Sequence, residues 1–156
     1  MVKSLSLSAR RAARILAVQA LYQLNQSSNL NAESVLQEFI DYRKNLNDLP
    51  AKNTDWEFFA SLFLRASGKK TEIANIVADL LNKRWSMDRL DSVLKSILFV
   101  GVVEIIYFPE IPVKTSLDEY VEVAKLFFDK QETSFVNGTL NAVAHRFRET
   151  DFAGQK

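Results

Sequence analysis

Apolar positions recur at intervals of three and four along most of this chain, the spacing of one face of an α-helix. From Ser8 to Leu24, the residues Ala9, Ala13, Leu16, Ala20 and Leu24 fall on one side, and the stretch holds no Gly, no Pro and no acid. Its second half adds Ile15, Val18, Leu21 and Tyr22 around the helix, which predicts burial there. Arg10, Arg11 and Arg14 fall together on the opposite side of its first turns. Asn25 to Asn31 is polar and turn-prone. Asn31 is placed to cap a second helix, with Glu33 in its first turn and Val35, Leu36, Phe39 and Ile40 on its apolar face. Asn45 to Asn53, with Asn47-Asp48-Leu49-Pro50 inside it, reads as a loop. Thr54 or Asp55 then caps a third helix carrying Trp56, Phe59, Ala60, Phe63 and Leu64. Gly68-Lys69-Lys70 interrupts this run, and Ile73, Ile76, Val77, Leu80 and Leu81 resume it, as a helical pair or one kinked helix from Asp55 to Lys83.

Trp85-Ser86-Met87-Asp88 is a short break. The apolar run from Ile97 to Tyr107 is rich in β-branched residues and by itself reads equally as a buried strand. Leu90, Val93, Leu94 and Ile97 lead into it at helical spacing, which predicts one long buried helix from Arg89 to Tyr107. Pro109 and Pro112 stop it. Ser116-Leu117-Asp118-Glu119 matches the capping box of the next helix, with Leu117, Val121, Ala124 and Phe128 as its core stripe. Asp129 to Thr133 reads as a polar turn. Val136, Leu140, Val143 and Phe147 form the buried stripe of a last helix. The sum is an all-α chain of about seven helices, with residues 1–148 as one domain and 149–156 as a frayed tail.

Composition adds little to this class but removes chemistry. The chain has 156 residues, 47% of them hydrophobic, enough for a core without covalent staples. It has no cysteine and one histidine, His145, which excludes disulfides, thiolate chemistry and multi-histidine metal sites. No secretory signal and no apolar run long enough to span a bilayer stands out, so the expected setting is soluble and cytoplasmic. The formal net charge is only +1, yet its distribution is uneven: Lys3, Arg10, Arg11 and Arg14 all precede the first acid, Glu33.

Those cations, together with the positive end of a helix dipole, suit a phosphate ligand. On the residues alone, a solvated basic end of a core helix is the plainer reading. Asp118, Glu119 and Glu122 read as dipole-stabilising residues in the first turns of a helix rather than as catalytic carboxylates. His145 reads as a surface residue. Glu104, in an apolar helix, needs a partner if buried. Gly138 sits inside a helix, either admitting a neighbour or simply tolerated. There is no Walker loop and no dinucleotide fingerprint, and nothing asks for an enzyme, a cofactor or a metal. Phe135 lies about 100° off the stripe of the last helix. It serves either as a staple of the helix entry or as a partly exposed ring of the kind single-stranded RNA stacks upon.

Three stretches together resemble one family. Ala9-Arg10-Arg11 through Ala17-Val18-Gln19-Ala20-Leu21-Tyr22 is similar to the first helix of the bacterial transcription antitermination factor NusB. Ile111 to Lys125 resembles its segment ending Ile-Asp-Glu-x-Val-Glu-x-Ala-Lys, and Phe135-Val136-Asn137-Gly138-Thr139-Leu140 resembles its Phe-Val-Asn-Gly-x-Leu signature. Trp85 to Tyr107 also fits, with Glu104 at the family's glutamate. The resemblance implies two small helical subdomains and binding without catalysis. The expected ligand is boxA RNA of ribosomal RNA operon leaders. The expected partners are ribosomal protein S10 (NusE) and, in a larger complex, other Nus factors and RNA polymerase. It assigns RNA contact to Lys3, Arg10, Arg11, Arg14, Gln131 and Phe135, and a protein-partner surface to Asp88, Arg89 and Glu104. Position 12 is alanine where some members have arginine, and Gln131 stands where an acid often occurs. Leu94 and Phe99 replace charged residues of some members, which either alters S10 contact or leaves an apolar patch for a homodimer. Two other readings remain: an RNA-binding module like that of ribosomal RNA cytosine methyltransferases, and a protein-interaction module that never touches RNA.

Overall fold

A computed structural model describes residues 2–44, 54–81 and 87–149, with side chains described from residue 9 onward and, in the first segment, to residue 42. Among these residues there are seven α-helices, one 3₁₀ turn and no strand. No helix among them is long and apolar enough to cross a membrane. The chain divides into two compact units, Met1–Gly68 and Lys69–Lys156. The predicted all-α class therefore holds.

Unit 1 contains α1 (Val2–Leu24), α2 (Ala32–Lys44) and α3 (Trp56–Gly68). Helix α1 starts six residues before the predicted Ser8, since nothing from Val2 to Leu7 breaks a helix. Asn31 caps α2 as expected, its Oδ1 accepting the Ser34 amide at 2.8 Å. Asp55, not Thr54, caps α3 by accepting the Phe58 amide at 3.0 Å. The Asp55 amide in turn donates to the Ala9 carbonyl at 3.1 Å, fixing the start of α3 against the backbone of α1. The buried face of α3 is Phe58, Phe59, Leu62, Phe63 and Ala66. Leu64 is exposed and Trp56 and Ala60 are only partly buried, so the predicted stripe was rotated. The Phe59 ring explains the rotation. It stacks on Phe39 and Phe63 at 6.0 and 6.2 Å and meets Trp56 edge-on at 5.6 Å, so the α3 face is centred on it. Tyr22, expected to be buried, is exposed. The predicted loop from Asn45 to Asn53 lies outside the described residues.

The break at Gly68-Lys69-Lys70 separates two helices and coincides with the boundary between units. Unit 2 contains α4 (Lys70–Leu80), a 3₁₀ turn (Met87–Arg89), α5 (Ser92–Tyr107), α6 (Val113–Lys125) and α7 (Lys130–Phe147). Trp85 is outside the described residues. Helix α5 begins after the predicted Arg89 because Asp91 caps it, accepting the amides of Val93 at 2.7 Å and Leu94 at 3.3 Å. The β-branched run is helical, and every residue from Ser96 to Ile105 is buried. Magnitudes explain the outcome. A β-branched residue loses about 0.5 kcal/mol of helix propensity, whereas burying it gains about 1.5–3 kcal/mol. Neighbouring helices α4, α6 and α7 all pack on α5. Gly101 makes the closest approach: a Cβ there would stand 2.8 Å from Leu140 Cδ1 and 3.4 Å from Tyr120 Cγ.

Several expectations for the second half are corrected. The capping box at Ser116–Glu119 is not used, because α6 starts a turn earlier, with Pro112 in the cap position. Ser116 is buried and donates to Glu104 Oε2 at 2.6 Å, while the Tyr120 hydroxyl donates to Glu104 Oε1 at 2.8 Å. An exposed cap is worth about 1 kcal/mol, and a buried carboxylate without donors costs several times more, so the hydroxyl goes to Glu104. The buried face of α6 is consequently Val113, Ser116, Tyr120, Val123 and Ala124; of the predicted stripe Ala124 is buried, while Leu117, Val121 and Phe128 are only partly so. Asp118 and Glu122 fall beyond the first turn and pair with Lys114 and Lys125 at 3.2 and 3.1 Å. The predicted turn at Asp129–Thr133 is mostly the first turn of α7. Val136, Leu140 and Val143 are buried as predicted, but Phe147 is exposed.

Arg148, just past the last predicted stripe, is buried and was not anticipated. Its guanidinium donates to the carbonyls of Ile105, Pro109 and Ile111 at 3.0, 3.0 and 3.1 Å. The Ile105 carbonyl would ordinarily accept from the amide four residues on, but that residue is Pro109. Arg148 supplies the missing donor. Residues 150–156 of the predicted tail lie outside the described residues.

Candidate nucleic-acid interface

The first half of α1 carries no acid, so its dipole and side chains have the same sign. Arg10 is about two-fifths exposed, with its Nε 3.8 Å from Asp55 Oδ2 and its Cζ 4.6 Å from the centre of the Phe58 ring. Asp55 thus serves two neighbours, with Oδ1 capping α3 and Oδ2 facing Arg10. An ion pair of this length and exposure is weak and screened by salt, so a phosphate can replace it. Arg11 is exposed. Lys3 lies in α1, but its side chain is outside those described.

Arg14 corrects the expectation of three solvated guanidinium groups. It is 2% exposed, and its Cζ lies 5.2 Å from the Phe58 ring centre. The physical reason is its place one turn beyond Arg10, on the α1 side facing Phe58, where the aliphatic stem is covered and the cation sits over a ring. Arg14 is therefore a support for this edge, with no surface to offer a polyanion. Phe58, which both arginines approach, was absent from the predicted face. The i, i+4 spacing of Arg10 and Arg14 was the available signal for a shared aromatic neighbour.

In unit 2, Gln131 and Phe135 lie one turn apart on one face of α7. Gln131 is exposed and Phe135 partly so. The same face continues through Gly138 and Ala142 to His145, which is exposed as expected. A Cβ at Gly138 would meet nothing within 4 Å, so this glycine admits no neighbouring helix.

The predicted partner surface splits. Asp88 and Arg89 are exposed in the 3₁₀ turn. Glu104 is fully buried, accepts from the Ser116 and Tyr120 hydroxyls, and presents no surface. Leu94 and Phe99 are also buried, at 2% and 5% exposure, so they leave no apolar patch for a second copy. Both were read as surface replacements of charges, whereas both face the core of unit 2, and α5 buries every residue from Ser96 to Ile105.

Comparison with known proteins places the chain among all-helical proteins of this architecture. The structure of NusB from T. maritima matches with a TM-score of 0.74 at 26% identity, covering 91% of this chain and 96% of that one. The solution structure of NusB from Aquifex aeolicus gives 0.70 at 27% identity, covering 91% of each. The NusB family profile matches residues 11–145. The transcription antitermination protein NusB of Maricaulis maris (strain MCS10) is 35% identical over 145 residues, 92% of this chain and 90% of that protein. That of Sphingopyxis alaskensis is 36% identical over 142 residues, 90% and 95% of the two chains. The chain belongs to the NusB family.

Proposed function

We propose that this protein is a transcription antitermination factor that binds boxA RNA of ribosomal RNA operon leaders, together with ribosomal protein S10. The complex joins other Nus factors on RNA polymerase and carries it through terminators. The observation that carries this reading is the acid-free start of α1, where Arg11 is exposed and Arg10 is held over Phe58 by a replaceable ion pair. These two cations, with Lys3, meet phosphates. Phe135 and Gln131 on α7 supply a ring and an amide to unstacked bases. Asp88 and Arg89 are the exposed members of the S10 surface.

The test is binding of boxA RNA and a scrambled control, with and without S10, over a salt series. Arg11→Ala is expected to weaken binding to both RNAs and to reduce the slope of log affinity against log salt by about 0.7–1. An unchanged slope removes Arg11 from the interface. Asp55→Asn keeps the α3 cap, since asparagine caps as well as aspartate, but releases Arg10. It is expected to leave the melting temperature nearly unchanged while tightening RNA binding about two- to fivefold at low salt. Weaker binding by this variant would mean that Asp55 orients Arg10 for RNA rather than competing with it. Equal binding of the parent to both RNAs, with no effect of S10, would sink the boxA reading.

A further inference from the structure

Lysine is ordinarily protonated and unreactive, and becomes a nucleophile where its ammonium loses water and counter-ion together. Lys70 is the first residue of α4 and is partly buried. Burial holds its ammonium below the usual lysine value. The acid of this turn, Glu72, is already engaged. Lys69 Nζ lies 3.5 Å from its Oε1, and the Tyr107 hydroxyl of α5 donates to its Oε2 at 3.3 Å. From α7, Arg146 faces Asp79, near the other end of α4. Among the described residues no carboxylate pairs with Lys70, whereas Lys114 and Lys125 pair with acids at 3.2 and 3.1 Å. The helix start adds to this. Lys69, in the cap position, makes no side-chain hydrogen bond to the first turn, so α4 opens on two cations set against the positive end of its dipole. Lys95, also partly buried near a helix start, has the Asp91 carboxylate as the cap of its helix, and Lys130 is exposed. Among the described residues, burial, a committed acid and an uncapped helix start meet only at Lys70.

We propose that Lys70 is a site of Nε-acetylation by small activated acyl donors, an acyl phosphate or a coenzyme A thioester. The neutral amine attacks the acyl carbon and a C–N bond forms. The C–O bond of the acyl phosphate, or the C–S bond of the thioester, breaks, and the amine proton leaves with the phosphate or the thiol. Lys69, one residue before, attracts the phosphate groups that both donors carry. Acetylation removes one of the two cations opposed to the α4 dipole, so the modified chain is the more stable one. The experiment incubates the full chain and Lys70→Arg with acetyl phosphate and, separately, with acetyl-coenzyme A, and follows each lysine by peptide mass spectrometry. Lys70 is expected to gain acetyl about two- to fivefold faster than Lys114 and Lys125 with at least one donor, and the donor that does so identifies the source. The treated parent is expected to melt about 1–2 °C higher than before. Treated Lys70→Arg, which keeps the charge but offers no amine, is expected to melt where it did. If Lys70 reacts no faster than Lys114 and Lys125 with either donor, or if treatment shifts the melting of both proteins equally, the proposal is wrong.

Discussion

Glu104→Ala is expected to cost about 3–5 kcal/mol, the largest loss of any single substitution considered for this protein. The carboxylate is fully buried and accepts from two hydroxyls, Ser116 at 2.6 Å and Tyr120 at 2.8 Å. Truncation leaves both hydroxyls in a dry site, at about 1–3 kcal/mol each, and opens a cavity between α5 and α6. The midpoint of thermal unfolding should drop by about 10 °C. Glu104→Gln keeps one acceptor and turns an amide donor toward the second hydroxyl, so its loss should be smaller, about 1–2 kcal/mol. The triple variant Glu104→Leu, Ser116→Ala, Tyr120→Phe removes the carboxylate together with the two hydroxyls that donate to it, and its stability should lie closer to the parent than that of Glu104→Ala. Denaturant unfolding of the three proteins decides the matter. Equal stability of Glu104→Ala and the parent would show that this network does not hold α5 to α6.

The second large effect is expected at Arg148. Its three carbonyl acceptors come from the end of α5 and the segment leading to α6, so one side chain closes the corner that two prolines open. Arg148→Ala should cost about 2–4 kcal/mol, since hydrogen bonds from a charged donor to buried carbonyls are the stronger kind. Arg148→Lys keeps the charge but not the planar fork, and cannot span three carbonyls in this arrangement. It should recover less than half of the loss. Hydrogen exchange should rise first at the amides of the Phe108–Ile111 turn. A lysine variant as stable as the parent would reduce Arg148 to a general positive charge.

These two positions mark where sequence reading stopped short. That Glu104 needed a partner was legible from its apolar surroundings. Which hydroxyls would serve it was not, because Ser116 also fitted a cap, and the competition is decided only when α6 is laid against α5. The same packing moved the α6 stripe onto Tyr120. Pro109 advertised a carbonyl without a donor four residues earlier, but no local pattern pointed to Arg148 as the remedy. The helices themselves, the caps at Asn31 and Asp55, and the break at Gly68 follow from local rules and were readable. The arginine edge was read correctly for where Arg10 and Arg11 fall and wrongly for Arg14. Helical spacing places a residue on a side, yet does not say whether an aromatic such as Phe58 from another helix covers it.

Arg148 also imposes an order of events. A ribosome makes the chain from its first residue onward, so the Ile105 carbonyl exists 43 residues before the guanidinium that will bind it. All of Met1–Gly68 is available by then, while the Pro109 corner must keep its carbonyls in water. The closing of that corner is therefore a late step in the life of the nascent chain.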